Sequence, residues 1–233
     1  MSFKNQLALV TGASRGIGAA TAIALAKKGA HVILTARTAK DLEEVEEIIH
    51  RAGGNATIAP LDLTDGDSIG RLAQAISDRW DALDIMVLNA AMLGSLSPVP
   101  AIDGKEFNNV LTLNLIAQQA LIAGFDAMMR KSEDARLLAI TSSVGRSPRP
   151  FWGAYGASKA ALETLVTSYG EEMRNLAKLR IAIINPGRTR TEMRARAYPG
   201  EDPQSVKAPE VVADRIAEIL SSDFETGERF DLN

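Results

Sequence analysis

The sequence predicts a single α/β domain in which a doubly wound parallel sheet carries helices on both faces. Three observations predict it. Seven short apolar segments recur along the 233 residues, and most are apolar at nearly every position, as strands buried on both faces must be. Helical patterns of about 12 to 25 residues separate them, the length a right-handed crossover between parallel strands requires. The alternation runs the length of the chain with no repeat, low-complexity tract or linker, so residues 1–233 are expected to form one unit.

The expected strands are "LALVT" (7–11), "HVILTA" (31–36), "ATIAPL" (56–61), "DIMVLN" (84–89), "RLLAIT" (136–141), "RIAIIN" (180–185) and "ERFDL" (228–232). The second helix is marked by Thr38 with Asp41 three residues on, a capping-box pattern, and by Gly53 as a stop. Pro209 suits the first turn of the last helix. A further helix is expected from near Ala154 to about Lys178. One irregular stretch, 186–208, is rich in Pro, Gly and Arg and could act as a lid.

Composition narrows the function. Apolar residues make up 46%, enough for a real core, while a net charge of −3 and a pI near 5.5 give no reason to expect a nucleic-acid partner. The apolar runs fall short of a membrane helix or a signal-peptide core, so a cytoplasmic protein with no membrane partner is expected. Without cysteine there is no thiol chemistry, and His31 and His50 alone make a metal site an unfavoured reading.

In such sheets ligands bind beyond the carboxyl ends of the strands, where every motif here falls. "TGASRGIG" (11–18) leaves the first strand and opens the first helix. Gly12 permits a tight turn, Gly16 and Gly18 allow close backbone approach, and Ser14, Arg15 and Ile17 complete a loop that offers free N–H groups to phosphates. The end of the second strand, "TARTAK", has Ala36 where an acidic residue would hold a 2′-hydroxyl, followed by Arg37. Arg15 and Arg37 therefore suit a 2′-phosphate and favour NADP(H) over NAD(H); the alternative is two solvated surface arginines.

These motifs, with "LDL" (61–63), "LNAA" (88–91), Asn114, "TSS" (141–143), "YGASK" (155–159) and "NPGRTRT" (185–191), resemble the short-chain dehydrogenase/reductase family in order and spacing. The run "NPGRTRTEMRARAYPGEDPQSVKAP" resembles its YciK-like branch. The resemblance implies an oxidoreductase that interconverts a carbonyl and an alcohol by hydride transfer, with a small-molecule substrate and a homodimeric or homotetrameric assembly through the long helices beginning near Glu106 and Ala154. Tyr155 resembles the general acid/base and Lys159 the ammonium that, with the positive ring of an oxidised nicotinamide, makes the phenol labile and also holds the nicotinamide ribose. Ser142 resembles the residue that steadies the substrate oxygen, with Ser143 as rival. Asn114 resembles the residue that holds a water linking Lys159 to solvent.

Asp62 and Leu63 resemble the adenine contacts, Asn89 and Ala90 the support for the middle of the cofactor, and Pro186, Gly187, Thr189 and Thr191 the loop that seats the nicotinamide amide and a phosphate. Asp62 could instead cap the next helix. Two departures from the family pattern stand out: Ala91 replaces the usual glycine after Asn89-Ala90, and little chain follows the last strand. Phe151 and Trp152 could wall a substrate pocket or pack against the helix start. Arg188, Arg190, Arg194 and Arg196 could bind an acidic group or form a solvated face. A second function class remains open, a catalytically silent NADP(H)-binding sensor or scaffold, although such a protein has no need of Asn114, Ser142, Tyr155 and Lys159 together.

Overall fold

The first five residues of strand character, Leu7–Thr11, form β1 in the computed structural model, which describes residues 2–233. The remaining strands are β2 (His31–Ala36), β3 (Asn55–Pro60), β4 (Ile85–Leu88), β5 (Ala135–Ile140), β6 (Leu179–Asn185) and β7 (Glu228–Asp231). All pair in parallel in the order β3-β2-β1-β4-β5-β6-β7. Each expected strand is present within a residue or two of its expected ends.

Side chains alternate between the two faces, as the strand period demands. Ala8, Val10, Val32, Leu34, Val87, Leu138 and Ile184 bury one face against α1 (Gly16–Lys27), α2 (Ala39–Arg51) and α8 (Pro209–Ile219). Leu7, Leu9, Ile33, Met86, Leu137, Ile181 and Ile183 bury the other against α3 (Gly66–Ser77), α5 (Ala117–Lys131) and α6 (Gly153–Met173). Small residues let α1 pack closely: Ala20, Ala22, Ala24 and Ala26 are all buried.

Pro209 opens α8 as expected, and Gly53 adopts a positive φ of 79° just past α2. Thr38 is the N-cap of α2 but its hydroxyl makes no capping bond, because Thr38 and Asp41 line a cavity instead. The helix after "FWGAY" ends at Met173, before the turn that leads to β6.

The expectation of no bilayer-length apolar helix needs correction. The helical run Gly104–Lys131 is long and apolar enough by length and composition, with a mean hydropathy of 1.3 in its best window. It comprises α4 (Gly104–Leu111), a π-helical turn (Thr112–Ile116) and α5. Its apolar character has a local explanation: Val110, Leu121, Phe125 and Met129 pack into the core, and Asn114 and Gln118 are buried with hydrogen bonds to neighbouring loops.

The order places β1 between β2 and β4, so the chain leaves the sheet in opposite directions on either side of β1. That switch point is where the carboxyl ends open a crevice. Thr11 closes its floor. Its hydroxyl accepts from the Asn89 and Ala90 amides, each at 3.0 Å, and donates to the Val87 carbonyl.

Candidate active site

A cavity of about 1480 Å³ runs along the carboxyl ends of the strands. That exceeds the several hundred Å³ a single drug-sized ligand fills. Gly12, Ser14, Arg15, Gly16, Ile17, Arg37, Asp62, Leu63, Asn89, Ala90, Ser142, Tyr155, Lys159, Pro186, Gly187, Thr189 and Thr191 all line it, so the structure gathers nearly every residue singled out in the sequence. Gly18 and Asn114 lie behind the wall.

The glycine loop is shaped by backbone approach. Gly12 and Gly16 sit at φ of 64° and 57°, where a side chain would be strained. A Cβ on Gly18 would lie 2.2 Å from the Gly12 carbonyl oxygen and 2.5 Å from the Asn89 amide nitrogen. That amide donates to the Thr11 carbonyl at 2.8 Å, so Asn89 fixes the loop by its side chain. Gly18→Ala is expected to lose about 1–3 kcal/mol of stability, read as a lowered Tm, together with cofactor binding. Ala91 takes no positive φ, which is why alanine is tolerated in place of the family glycine.

Asp62 does not cap α3. Asp65 does, accepting from the Asp67 amide. The Asp62 carboxylate instead accepts from the Thr64 amide and hydroxyl, which hold it below the ordinary carboxylate range and shape the turn over the cavity.

Arg15 and Arg37, expected together as anion ligands, both line the cavity but differ in their partners. The Arg15 guanidinium lies 2.7 Å from Glu192, because the 186–208 stretch folds back over the glycine loop and brings an opposite charge with it. Arg37 is exposed and has no carboxylate partner among the described residues. The stretch itself is braced more than its composition suggested. Thr191 caps α7 (Glu192–Ala197), the Arg190 amide donates to the Lys207 carbonyl, and Glu201 binds both Arg188 and Arg194. Those two guanidiniums, the Arg194 hydrogen bond above all, hold the Glu201 carboxyl down to about 2.

Tyr155 and Lys159 lie one turn apart on α6, both buried, with the ammonium 5.8 Å from the phenol ring centroid. Lys159 Nζ donates to the Ile140 carbonyl at 2.7 Å. Burial pulls its ammonium down to about 8, against the opposing charge of Glu163. Burial also pushes the Tyr155 phenol above its ordinary value, so the lysine alone does not make the phenol labile in the cofactor-free chain.

Ser142 is half-buried, lines the cavity and makes no hydrogen bond to another described side chain, whereas the Ser143 hydroxyl accepts from Arg149. Asn114 is wholly buried in the π-helical turn. Its amide accepts from the Met92 N–H at 2.8 Å and donates to the Met92 carbonyl and Ser158 hydroxyl. The side chain is thus consumed in tying α6 to the loop after β4.

One group escaped the sequence reading. Glu163, one turn beyond Lys159, is buried with its carboxylate on the Thr141 hydroxyl (2.5 Å), Arg146 (2.7 Å) and Arg229 (2.6 Å). Burial pushes its carboxyl up, but the three hydrogen bonds outweigh that and hold it below the ordinary range. Its position four residues after Lys159 was the available signal; its partners come from the loop after β5 and from β7.

A helix-borne tyrosine and lysine thus line the same cavity as a glycine-rich loop at the switch point of the sheet. The sequence profile described as short chain dehydrogenase matches residues 6–202, and the chain belongs to that family. Within it, the chain is 35% identical to the oxidoreductase YciK of Escherichia coli (strain K12), over 97% of this chain and 91% of the relative, which places it in the YciK-like branch. A short chain dehydrogenase from Pseudomonas syringae superposes with a TM-score of 0.95 at 36% identity, covering 99% of this chain and 96% of the other. Another, from Escherichia coli CFT073 in complex with NADPH, gives 0.94 at 36% identity, covering 99% and 97%.

Proposed function

We propose that this oxidoreductase is NADPH-dependent and interconverts a carbonyl and an alcohol, with the described chain acting as one catalytic unit. The observation that carries the reading is that Ser142, whose hydroxyl has no side-chain partner among the described residues, lines one cavity with Tyr155, Lys159 and the glycine loop. That loop fits a dinucleotide: Gly12 and Gly16 supply the strained turn, and a side chain at Gly18 would break it. The NADPH complex of a 36%-identical relative supports the choice of cofactor.

Gly12, Ser14, Gly16 and Ile17 would hold the pyrophosphate, Asp62 and Leu63 the adenine, and Pro186, Gly187, Thr189 and Thr191 the nicotinamide end. Lys159 would hold the nicotinamide ribose. When bound, the nicotinamide supplies or takes the hydride. Ser142 Oγ donates to the substrate oxygen and orients it. Tyr155 Oη gives that oxygen a proton in reduction and takes one back in oxidation. Lys159 remains cationic below about pH 8 and favours the phenolate as the proton leaves. Asn114 acts as a positioning residue, holding α6 against the Met92 loop, and its backbone in the widened π-helical turn is the candidate anchor for a water on the proton path.

Arg37 is the group assigned to the 2′-phosphate. Arg37→Ala is expected to weaken NADPH by about ten- to a hundredfold, the loss of a charge-assisted contact, with a much smaller effect on NADH. Calorimetric titration of both cofactors checks this; equal losses would remove the assignment. A panel of aldehydes, ketones and alcohols, followed by cofactor absorbance with each nucleotide, tests the function itself. The homo-oligomer implied by the resemblance would use the outer faces of α5 and α6, where Ile116 stands exposed at the start of α5.

A further inference from the structure

Beyond Tyr155 the cavity continues into a compartment walled by Leu93, Val144, Trp152, Met193, Ala197 and Tyr198. The Trp152 ring stands 6.1 Å from that of Tyr155 and 5.8 Å from that of Tyr198. A series of aromatic rings therefore leads outward from the phenol. Arg149 lies at its outer end, donating to the Tyr198 hydroxyl and the Ser143 hydroxyl, each at 3.3 Å. Both contacts are long and both partners are neutral.

The neighbouring guanidiniums each have a carboxylate partner. Arg146 is bound by Glu163, and Arg188 and Arg194 by Glu201. No carboxylate among the described residues lies within ion-pair distance of Arg149. The same holds for Arg37, Arg190 and Arg196, which also line this cavity, and otherwise only for Arg79, which lies over the Trp80 ring elsewhere. Four of the five arginines without a carboxylate partner among the described residues of this acidic chain therefore line one cavity.

The backbone presents Arg149 deliberately. Pro148 and Pro150 flank it and restrict its conformations. Phe151, next along, has a φ of 73°, a left-handed conformation that costs a non-glycine residue of order 1–3 kcal/mol. Its side chain is exposed, so burial of the ring is not what retains the conformation. The Ser97 N–H holds the Phe151 carbonyl at 3.0 Å, and Ser97 bridges to Trp152. The strained turn delivers Arg149 and Trp152 to the cavity and starts the helix that carries Tyr155.

We propose that Arg149 selects an anionic substrate, a carbonyl compound with an apolar or aromatic body whose carboxylate or phosphate group binds this guanidinium while the reacting oxygen meets Ser142 and Tyr155. The proposal rests on the carbonyl-reductase reading and names its substrate class. It is separate from cofactor recognition, because Arg37 follows β2 and Arg149 follows β5, with β1 and β4 between them in the sheet.

The test compares 4-carboxybenzaldehyde, 4-formylphenyl phosphate and the neutral methyl 4-formylbenzoate, with the full chain and NADPH. The ester has the more electrophilic aldehyde, so a preference for either anion reports binding. The expected result is a higher kcat/KM for an anionic aldehyde than for the ester, and a drop in that ratio of about tenfold or more in Arg149→Gln, partly rescued in Arg149→Lys. The better of the two anions identifies carboxylate or phosphate as the group read. An unchanged ratio overturns the proposal. In parallel, terephthalate, which cannot be reduced at the site, is titrated into the NADP⁺ complex by tryptophan fluorescence. Binding that weakens about tenfold in Arg149→Gln sustains the anion site even if no aldehyde turns over, an outcome that would sink the reductase reading alone. Turnover without anion preference, with equal terephthalate binding in both proteins, sinks the anion site alone.

Discussion

Tyr155→Phe is expected to bind NADPH as the parent does and to lose carbonyl turnover by about a thousandfold, within the 10²–10⁴ range that a positioned acid/base contributes. The phenyl ring fills the same buried volume between Val144, Leu93 and Trp152, so folding should be preserved. Only the hydroxyl is removed, and no hydrogen bond from that hydroxyl to a protein group holds the fold together. The pH dependence carries a second signature. Lys159, lowered to about 8 by burial, is charged below that pH and neutral above it. The parent kcat/KM for reduction is therefore expected to hold at neutral pH and to fall as pH rises through about 8, while the residual activity of Tyr155→Phe should lack that limb. Steady-state rates across pH, with NADPH affinity measured alongside, check both parts. A variant that reduces carbonyls at the parent rate would remove Tyr155 from the chemistry.

Glu163→Ala is expected to destabilise the protein by about 3 kcal/mol, the lower end of what breaking a buried ion pair costs. The reasoning is local. The carboxylate is the shared acceptor for the Thr141 hydroxyl, Arg146 and Arg229, and Arg229 is itself mostly buried. Its loss strands Arg229 with only Asp231, at 3.3 Å. For a chain of this size that loss corresponds to a fall in Tm of roughly 6–12 °C. The pH sign follows from a carboxyl held below its unfolded value. Its contribution is complete above the unfolded value of about 4.3 and is lost as pH falls through the folded one. The parent and variant melting curves should thus converge in acid and separate near neutrality. Equal Tm values at neutral pH would show that the cluster adds nothing to the fold.

The fold was legible because it is written in short-range patterns. Near-continuous apolar runs define strands buried on two faces, and β1 through β7 appear where those runs lie. Pro209 and Gly53 act within a residue or two of themselves, so their roles could be read directly. The glycine loop and "YGASK" were readable for the same reason, and the cavity assembles them. What sequence did not reveal depends on segments distant in the chain. Arg15 meets Glu192 only because the 186–208 stretch folds back across the glycine loop. Glu163 gathers partners from residues 141, 146 and 229. Asn114 spends its side chain on Met92 and Ser158, a constraint set by tertiary packing at the π-helical turn. The phenol was expected to be made acidic by its lysine neighbour together with an oxidised nicotinamide ring; in the cofactor-free chain burial, which pattern alone does not quantify, moves it the other way.

The most direct test of hydride transfer to a carbonyl, with Tyr155 as proton donor, uses NADPH carrying deuterium at its transferable position and a panel of aldehydes and ketones. Mass spectrometry of the alcohols should find one deuterium on the carbinol carbon, formed with one equivalent of cofactor oxidised and about a thousandfold more slowly in Tyr155→Phe. Alcohol formed without deuterium, or no cofactor consumed with any carbonyl, would contradict the account.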